Sequence, residues 1–408
     1  MNFNTTLLHG SFNEKTFLGA TTTPIFQVNA FSHESPEKLE KVFNNKAGGY
    51  AYSRIGNPTV SAFEKTVADL EHGIGAVACS SGMAAITLTL LNILSSGDEV
   101  IAASGLFGGT IDLFGDLRSF GINIRFVNHI STENIEPLIT DKTKAVFAEL
   151  IGNPALDIVD IEDVSGFLHE KGIPLIIDST AATPYLTNPI EFGADIVVHS
   201  SSKYINGSAT AISGIIVDSG KFQWSKERYP SFAEYERFGK FAFLSKLRNG
   251  IWRNFGACLS PFNAYLNNIG IETLGLRMEQ VCSGADRLAQ FFDSVEGVEV
   301  NYPTLSSNPY SGLAKKYLKG KGGAIITIRP GSKEKAFRLI NELKIPLVAT
   351  NIGDVRTLVI HPSSTIYAHA SPEQKKNAGV YEDTIRISVG IEDVEDLIAD
   401  FKQAIEKI

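Results

Sequence analysis

Short apolar runs alternate with longer amphipathic stretches from about residue 58 to residue 217. Apolar runs bounded by turn residues are typical of buried strands, whereas apolar residues spaced three and four apart are typical of helices. The predicted strands are 76–79, 99–103, 122–127, 144–150, 174–177, 195–199 and 212–217. The predicted helices are 58–72, 81–94, 109–120, 133–139 and 161–171. This alternation predicts βαβ units, and therefore an α/β fold with a mostly parallel central sheet flanked by helices.

The pattern changes on both sides of this region. Residues 1–57 contain few periodic elements, so we predict an N-terminal arm that lies on another surface, such as that of a neighbouring subunit. Residues 218–259 are rich in aromatic and charged side chains. We interpret them as an inserted helical or loop region that borders the functional site and serves mainly for packing.

A second series of elements closes the chain. A long helical pattern covers about 261–292. The later predicted strands are 324–328, 357–360 and 384–389, and the closing helix is 394–408. The predicted division is an arm (1–57), a central ligand-binding domain (58–258) and a smaller C-terminal α/β domain (259–408).

Charge and composition narrow the kind of ligand. A net charge of −8 disfavours binding to the phosphate backbone of nucleic acids. No apolar run reaches the ~18 residues of a membrane span, and the first residues lack the apolar core of a signal peptide. We therefore expect a cytoplasmic protein that acts on a small molecule, without nucleic-acid or membrane partners.

The cysteines bear on redox chemistry and metals. Cys79, Cys258 and Cys282 are odd in number and far apart in the sequence. This argues against a disulfide framework and against a cysteine-based metal site, so we expect no metal.

The stretch from residue 195 to residue 207 holds the main chemical candidate. A β-branched run is followed at once by three serines and Lys203. A lysine at the end of a buried strand loses solvation, which lowers its pKa and makes the amine nucleophilic. Ser200 and Ser202 are two residues apart, so both hydroxyls can face a phosphate. A lysine beside such a cup suits pyridoxal 5'-phosphate (PLP), although a solvated serine-rich loop has the same composition.

Other polar residues follow the predicted strands. Ligands of parallel sheets collect at the carboxyl ends of strands. Ser81 and Gly82 follow the first strand and open a helix, whose N–H groups form an anion site. Glu149 and Asn153 follow another strand, and Asp178 ends a further one. A buried aspartate can bind a protonated ring nitrogen, or it can cap a turn.

Two arginines are candidates for binding anions. Arg54 lies in a loop rich in glycine and containing Asn-Pro, where it is either a surface cation or a phosphate ligand. Arg386 lies in the middle of a predicted strand among apolar neighbours. Because a buried guanidinium needs a carboxylate partner, Arg386 either forms an internal salt bridge or binds the α-carboxylate of a substrate.

Four motifs in this order resemble those of the Cys/Met-metabolism family of PLP enzymes, which are similar to cystathionine γ-synthase. The motifs are Y-S-R-x-G-N-P-T at 52–59, S-G-M-A-A at 81–85, the lysine signature at 195–207 and R-I-S-V-G at 386–390. The resemblance covers nearly the whole chain. It implies the PLP-dependent transferase fold type I of the aspartate aminotransferases, with PLP as the cofactor of the central domain.

The resemblance implies roles for the matching residues at the cofactor. Lys203 would bond covalently to PLP and later transfer the α-proton, Asp178 would bind the pyridinium nitrogen, and Asn153 would contact the 3-oxygen. The implied phosphate ligands within the chain are Gly82, Met83, Ser200 and Ser202.

Further implied roles concern the substrate and the assembly. Arg386 and Asn351 would bind the substrate carboxylate, and the ring at Phe107 would stack on the cofactor. Tyr52 and Arg54 would reach the phosphate in a neighbouring subunit, which implies a homotetramer built as a dimer of dimers.

Within the family, several segments resemble O-acetylhomoserine sulfhydrylases: 256–264, 301–303, 314–317 and 361–365. These transferases replace the γ-acetoxy group of O-acetyl-L-homoserine with sulfide or a thiol, which gives L-homocysteine and acetate in methionine biosynthesis. The alternatives are γ- or β-elimination from methionine, homocysteine or cystathionine, and PLP binding without turnover.

The chain departs from the patterns of the family at four positions. Phe107 stands where the family usually has a tyrosine that stacks on the cofactor and protonates the γ leaving group. Gly109 stands where methionine γ-lyases have a cysteine, which counts against that activity. Ser179 and Ser208 replace the usual asparagine and histidine, which indicates a divergent member.

Overall fold

The computed structural model describes residues 1–10 and 17–408. The strands of its first sheet are β1 (Gly75–Cys79), β2 (Glu99–Ala103), β3 (Asn123–Val127), β4 (Thr143–Glu149), β5 (Leu175–Asp178), β6 (Ile196–His199) and β7 (Gly214–Asp218). Their order across the sheet is β1-β7-β6-β5-β4-β2-β3. Strands β2 to β6 pair in parallel, whereas β7 is antiparallel to its neighbours β1 and β6. The prediction of a mostly parallel sheet is confirmed.

The direction of β7 follows from its short connection. A parallel pair needs a crossover of a dozen or more residues, usually a helix. Residues 200–213, between β6 and β7, contain no helix. Ser202 N donates a hydrogen bond to Ser213 O (3.3 Å), so the connection folds back at the end of β6. This loop therefore stays beside the carboxyl ends of the parallel strands.

The helices of this half of the chain are α1 (Phe3–His9), α2 (Pro36–Phe43), α3 (Pro58–Leu70), α4 (Gly82–Ile93), α5 (Gly108–Ser119), α6 (Thr132–Ile135), α7 (Ile161–Glu170) and α8 (Thr183–Leu186). Capping residues decide where those near the site begin. Ser81 Oγ accepts a hydrogen bond from Ala84 N (3.0 Å) at the start of α4. Asn57 Oδ1 accepts one from Thr59 N (3.0 Å) at the start of α3. Apart from the edge strand β3, the sheet strands are almost fully buried, so they form the centre of the main core.

Residues 218–259 form 3-10 turns at Pro230–Phe232 and Glu236–Phe241 and the helices α9 (Ala242–Asn249) and α10 (Ile251–Phe255). Their aromatic side chains pack on one another, and the rings of Trp224 and Phe232 stack with 4.6 Å between centroids. Trp252 Nε1 donates to Ala78 O (3.0 Å), which fixes the region to β1. No residue of this fully described region lines the central cavity. The region therefore packs against the sheet edge, contrary to the prediction that it borders the site.

The helical pattern over 261–292 consists of two helices, α11 (Pro261–Ile271) and α12 (Leu274–Asp293). Arg277 stabilises the break between them, because its Nη2 donates to the end carbonyl Gly270 O (2.7 Å). Apolar spacing continues on both sides of the break, so the periodicity alone did not reveal it.

A second sheet follows, with strands β8 (Glu299–Asn301), β9 (Ile325–Arg329), β10 (Leu347–Val348), β11 (Leu358–Ile360) and β12 (Ile385–Ser388) in the order β10-β11-β12-β9-β8. Its helices are α13 (Ser311–Tyr317), α14 (Lys333–Glu342), α15 (Pro372–Asn377) and α16 (Val394–Ile405). Phe292 and Phe401 meet edge to face in its separate core, with 5.1 Å between centroids. The domain boundaries at residues 57/58 and 258/259 stay a prediction.

Candidate active site

A cavity of about 440 Å³ lies at the carboxyl ends of β4, β5 and β6. Residues from both sheets contribute to it, since Arg386 of β12 faces the same space as Lys203. The sequence-predicted residues that line it are Gly82, Met83, Phe107, Asn153, Asp178, Ser200, Ser202, Lys203, Asn351 and Arg386. The fold therefore gathers ten of the twelve predicted site residues, and only Tyr52 and Arg54 do not line this cavity.

Lys203 is the candidate nucleophile of the cavity. It follows β6, and its Nζ donates a hydrogen bond to Asn351 Oδ1 (2.6 Å). Burial, with a smaller contribution from the positive charge of Arg386, lowers the pKa of Lys203 from 10.5 to about 8. More of the amine is therefore uncharged near neutral pH than in an ordinary lysine, and the uncharged form can attack a carbonyl carbon.

Asp178 is the last residue of β5 and a buried acceptor in the same cavity. Its Oδ1 accepts hydrogen bonds from Thr180 N (2.9 Å) and Thr180 Oγ1 (2.5 Å). Among the described residues Thr180 is its sole hydrogen-bond donor, so Oδ2 remains open to a ligand. Burial raises the pKa of Asp178 because the carboxylate has lost water. A cationic ring N–H would reverse that effect by charge-assisted hydrogen bonding.

The start of α4 and the loop after β6 form an anion cradle. Gly82 is the first residue of α4, where unpaired N–H groups and the helix dipole favour a phosphate. A Cβ at Gly82 would lie 2.6 Å from Ser200 Cβ, so only glycine leaves this space open. The Ser200 hydroxyl forms no hydrogen bond to the described residues. The Ser202 hydroxyl differs, because it bonds to Ser213 N (2.8 Å) and Ser213 O (2.9 Å).

Arg386 is buried, and no carboxylate of the described residues pairs with it. Its Nη1 donates to Asn153 Oδ1 (3.3 Å) and its Nη2 to Asn351 O (2.8 Å). Its Nε is buried without a partner. Burial lowers the pKa of Arg386 to about 10, which still leaves it charged. An internal salt bridge is therefore absent in the described part of the chain, and a ligand carboxylate would supply the missing charge.

These observations fit PLP with an amino-acid substrate. A lysine amine of lowered pKa, a buried carboxyl for a ring nitrogen, a helix N-terminus for the phosphate and a lone buried guanidinium meet in one cavity. The model of the Cys/Met metabolism PLP-dependent enzyme family matches residues 4–406.

The chain belongs to this family.

Individual relatives match over their full lengths. Sulfhydrylase FUB7 of Fusarium oxysporum is 40% identical, with 100% of this chain and 98% of that protein covered. O-acetyl-L-homoserine sulfhydrylase 1 of Thermus thermophilus is 39% identical, with 99% of this chain and 100% of that protein covered.

A solved structure agrees in fold. It is a Campylobacter jejuni protein assigned as O-acetylhomoserine (thiol)-lyase, which carries N'-pyridoxyl-lysine-5'-monophosphate. It is 35% identical and superposes with a TM-score of 0.93 over 100% of both chains. The predicted family, the fold type and the PLP cofactor are confirmed, and the chain is a PLP-dependent enzyme.

Phe107 occupies the position where most family members are expected to carry a tyrosine. Phe107 and Glu149 both line the cavity. The Phe107 side chain lines the cavity and is 37% exposed. Phe107 N donates to Glu149 Oε1 (2.7 Å), and Asn153 N donates to Glu149 Oε2 (3.2 Å). Burial and the nearby Asp178 raise the pKa of Glu149 well above its usual range. Glu149 thus positions the loop that carries Phe107.

Tyr52 and Arg54 lie at the protein surface, away from this cavity. Arg54 Nη1 donates to Arg253 O (2.6 Å), and its guanidinium carbon is 5.7 Å from the centre of the Tyr52 ring. Tyr52 is 40% exposed. Their expected contact with the phosphate in a neighbouring subunit stays a prediction.

Thr180 was missed by the sequence analysis although it touches Asp178 and also accepts a hydrogen bond from Ser200 N (2.8 Å). The available signal was a hydroxyl residue two positions after an aspartate, a spacing typical of Asx turns. Metal ligands form no cluster in residues 1–10 and 17–408. Within the same residues no helix has both the length and the apolar character needed to cross a membrane.

Proposed function

We propose that this enzyme catalyses γ-replacement: O-acetyl-L-homoserine and sulfide, or a thiol, give L-homocysteine, or its thioether, and acetate. The reaction would serve methionine biosynthesis. The observation that carries the proposal is the lone Arg386 guanidinium in the cavity of the low-pKa amine of Lys203, because this pair suits an α-amino acid. Relatives named O-acetyl-L-homoserine sulfhydrylase, 38–39% identical over nearly their whole length, support the choice of reaction.

Each residue at the cofactor would have a separate role. Bound PLP supplies an electron sink that acidifies the hydrogen on the substrate α-carbon. Lys203 Nζ would hold the cofactor and then carry the proton to and from that carbon. Asp178 Oδ2 would accept the ring N–H, and Gly82 N with the Ser200 hydroxyl would bind the phosphate.

The remaining cavity residues would orient the substrate. Arg386 would bind the α-carboxylate through two of its donors, with Asn351 held between it and Lys203. Asn153 would contact the 3-oxygen of the cofactor. The Phe107 ring has no acidic proton to give, but acetate is a good leaving group, so its departure needs less help from an acid.

A second candidate is elimination without replacement, and Phe107 is the observation that keeps it open. Replacement and elimination share their early proton transfers. The tyrosine hydroxyl that Phe107 lacks would act at the γ-carbon of the substrate, so its absence changes how the common intermediate is divided between the two reactions. The intact set of Lys203, Asp178 and Arg386 counts against PLP binding without turnover.

The assembly and the compartment are also part of the proposal. We propose a cytoplasmic homotetramer, built as a dimer of dimers, in which Tyr52 and Arg54 complete the phosphate site of a neighbour. Exposed apolar side chains in the N-terminal arm support a subunit contact: Ile25, Val28, Phe43 and Tyr52. The three free cysteines support a reducing compartment.

A product assay tests the reaction. Purified holoenzyme is incubated with O-acetyl-L-homoserine in the presence and absence of sulfide, and Lys203→Ala serves as the inactive control. We expect homocysteine and acetate only with sulfide. Formation of 2-oxobutyrate and ammonia without sulfide would instead support elimination. With PLP bound, failure to form either product from the O-acetyl, O-succinyl and O-phospho donors would contradict both reactions.

A further inference from the structure

Cys79 and Cys258 lie opposite each other in the fold although they are far apart in the sequence. Cys79 ends β1, Cys258 precedes α11, and the two are partners in an isolated antiparallel bridge. Ser80 N donates to Ala257 O (2.9 Å). A hydrogen bond between the residue after one partner and the residue before the other marks a non-hydrogen-bonded pair. Such pairs are the closer kind, with ~4.5 Å between Cα atoms.

A bridge of this kind brings two residues within the range over which a disulfide can form. Disulfides join residues whose Cα atoms are roughly 4.4–6.8 Å apart and whose Cβ atoms face each other. Paired residues of antiparallel strands direct their side chains to the same face. All three cysteines are free thiols in the structure, and Cys282 lies on α12, outside this bridge. The wide spacing of the cysteines in the sequence argued against a disulfide. In the folded chain, however, Cys79 and Cys258 are neighbours.

We propose that Cys79 and Cys258 form a reversible disulfide on exposure to hydrogen peroxide. Cys258 is partly exposed whereas Cys79 is fully buried, so peroxide reaches Cys258 first. The Cys258 sulfur attacks peroxide, a sulfur–oxygen bond forms, the oxygen–oxygen bond breaks, and water leaves. The Cys79 sulfur then attacks the resulting sulfenic acid. The sulfur–sulfur bond forms, the sulfur–oxygen bond breaks, and the Cys79 proton leaves in a second water.

The electron balance is complete, since two thiols lose two electrons and one peroxide is reduced to two waters. The bond would be placed directly beside the cofactor site. Ser80 follows Cys79 and leads into Ser81 and Gly82, which line the cavity.

The test treats holoenzyme with one equivalent of hydrogen peroxide, unfolds it in denaturant so that the buried cysteines are accessible, alkylates free thiols and maps peptides without reduction. We expect a linked peptide pair containing Cys79 and Cys258, loss of two thiols per chain, an alkylated Cys282 and full reversal by dithiothreitol. The midpoint of thermal unfolding should rise in the linked form, because the bond closes the long segment 79–258 in the unfolded chain.

Matched variants make the result specific. Cys282→Ser should form the link as the parent does, and Cys258→Ser should not form it while it keeps bound PLP. Three alkylated thiols after peroxide would overturn the proposal. A link through Cys282, or Cys258 oxidised to sulfinic acid beside a reduced Cys79, would overturn it as well.

Discussion

At the scale of single residues, Arg386 carries the clearest information about the ligand. A guanidinium removed from water is stable only with hydrogen-bond partners and a counter-charge. Arg386 has carbonyl partners for Nη1 and Nη2, but Nε has none and no described carboxylate faces it. The missing counter-charge is what an amino-acid carboxylate provides, so this residue links the buried core to substrate choice.

Arg386→Lys should keep a positive charge but lose the fork of donors. We expect kcat/KM for the amino-acid substrate to fall about 100-fold, since one or two charge-assisted hydrogen bonds of ~1.5–3 kcal/mol are lost. The visible absorption of bound PLP should persist. The control is Arg356→Lys, because Arg356 pairs with Asp354 at the surface (2.9 Å). An unchanged kcat/KM in Arg386→Lys would show that the substrate carboxylate binds elsewhere.

Phe107→Tyr tests the missing hydroxyl. If an acid for the γ leaving group limits the rate, the variant should form homocysteine faster, by up to ~10²-fold, the lower range for a positioned acid. Phe120→Tyr, at the exposed end of α5, should leave the rate unchanged. Equal rates in Phe107→Tyr and the parent would mean that departure of acetate needs no such acid.

The site residues that could be predicted from the sequence are those whose chemistry is unusual for their position. Asp178 stands out because it ends an apolar strand and Lys203 because it follows one closely, and the structure places both in the cavity. Thr180 and Glu149 act through hydrogen bonds that only the folded chain creates. The sequence left open whether Arg386 forms an internal salt bridge, since the absence of a partner is a property of the packed structure.

At the scale of elements, the start of α4 decides how closely an anion can approach. The Ser81 cap aligns the first turn, and Gly82 leaves its N–H groups uncovered. Ser200 of the neighbouring loop closes the other side. The anion cradle thus depends on the close approach of α4 and the loop after β6, which is possible because residue 82 has no side chain.

Gly82→Ala should weaken PLP binding. The added methyl would lie 2.6 Å from Ser200 Cβ and 2.9 Å from Ser200 Cα, so the backbone must shift. We expect the dissociation constant of PLP to rise at least about 10-fold, or ~1.4 kcal/mol. Gly115→Ala is the control, because a Cβ there meets nothing within 4 Å in α5. Unchanged PLP affinity in Gly82→Ala would contradict its place in the phosphate site.

The elements of the first sheet were predictable because buried strands and amphipathic helices have different periods. Strand β2 was predicted with the bounds observed. Three features needed the fold. The antiparallel direction of β7 depends on a loop that contains no helix, the break between α11 and α12 depends on Arg277, and β8 and β10 are too short to show a period.

At the scale of the whole molecule, the site of one chain is proposed to be incomplete without a neighbour. The described N-terminal residues expose apolar side chains, and Arg54 lies outside the cavity of its own chain. A twofold contact that exchanges these arms would bring Arg54 of the neighbouring chain to each phosphate site.

Mixing two inactive variants tests this exchange. Arg54→Ala and Lys203→Ala should each have low activity, whereas co-expressed chains should recover about a quarter of the wild-type sites, because a mixed dimer contains one complete site. Lys203→Ala mixed with Asp178→Ala is the control and should recover nothing, since both residues lie in the same cavity. If the first mixture is no more active than its parents, Arg54 does not act across subunits.

The central claim is that Lys203, and no other lysine, bonds to PLP. The direct measurement is borohydride reduction of the holoenzyme followed by peptide mapping. Lys246 provides the comparison, because burial lowers its pKa to about 8 as well, yet it lies outside the cavity. We expect the reduced cofactor on Lys203 alone, in the parent and in Lys246→Met, and none in Lys203→Ala. Cofactor on Lys246, or a coloured and reducible Lys203→Ala, would contradict the account.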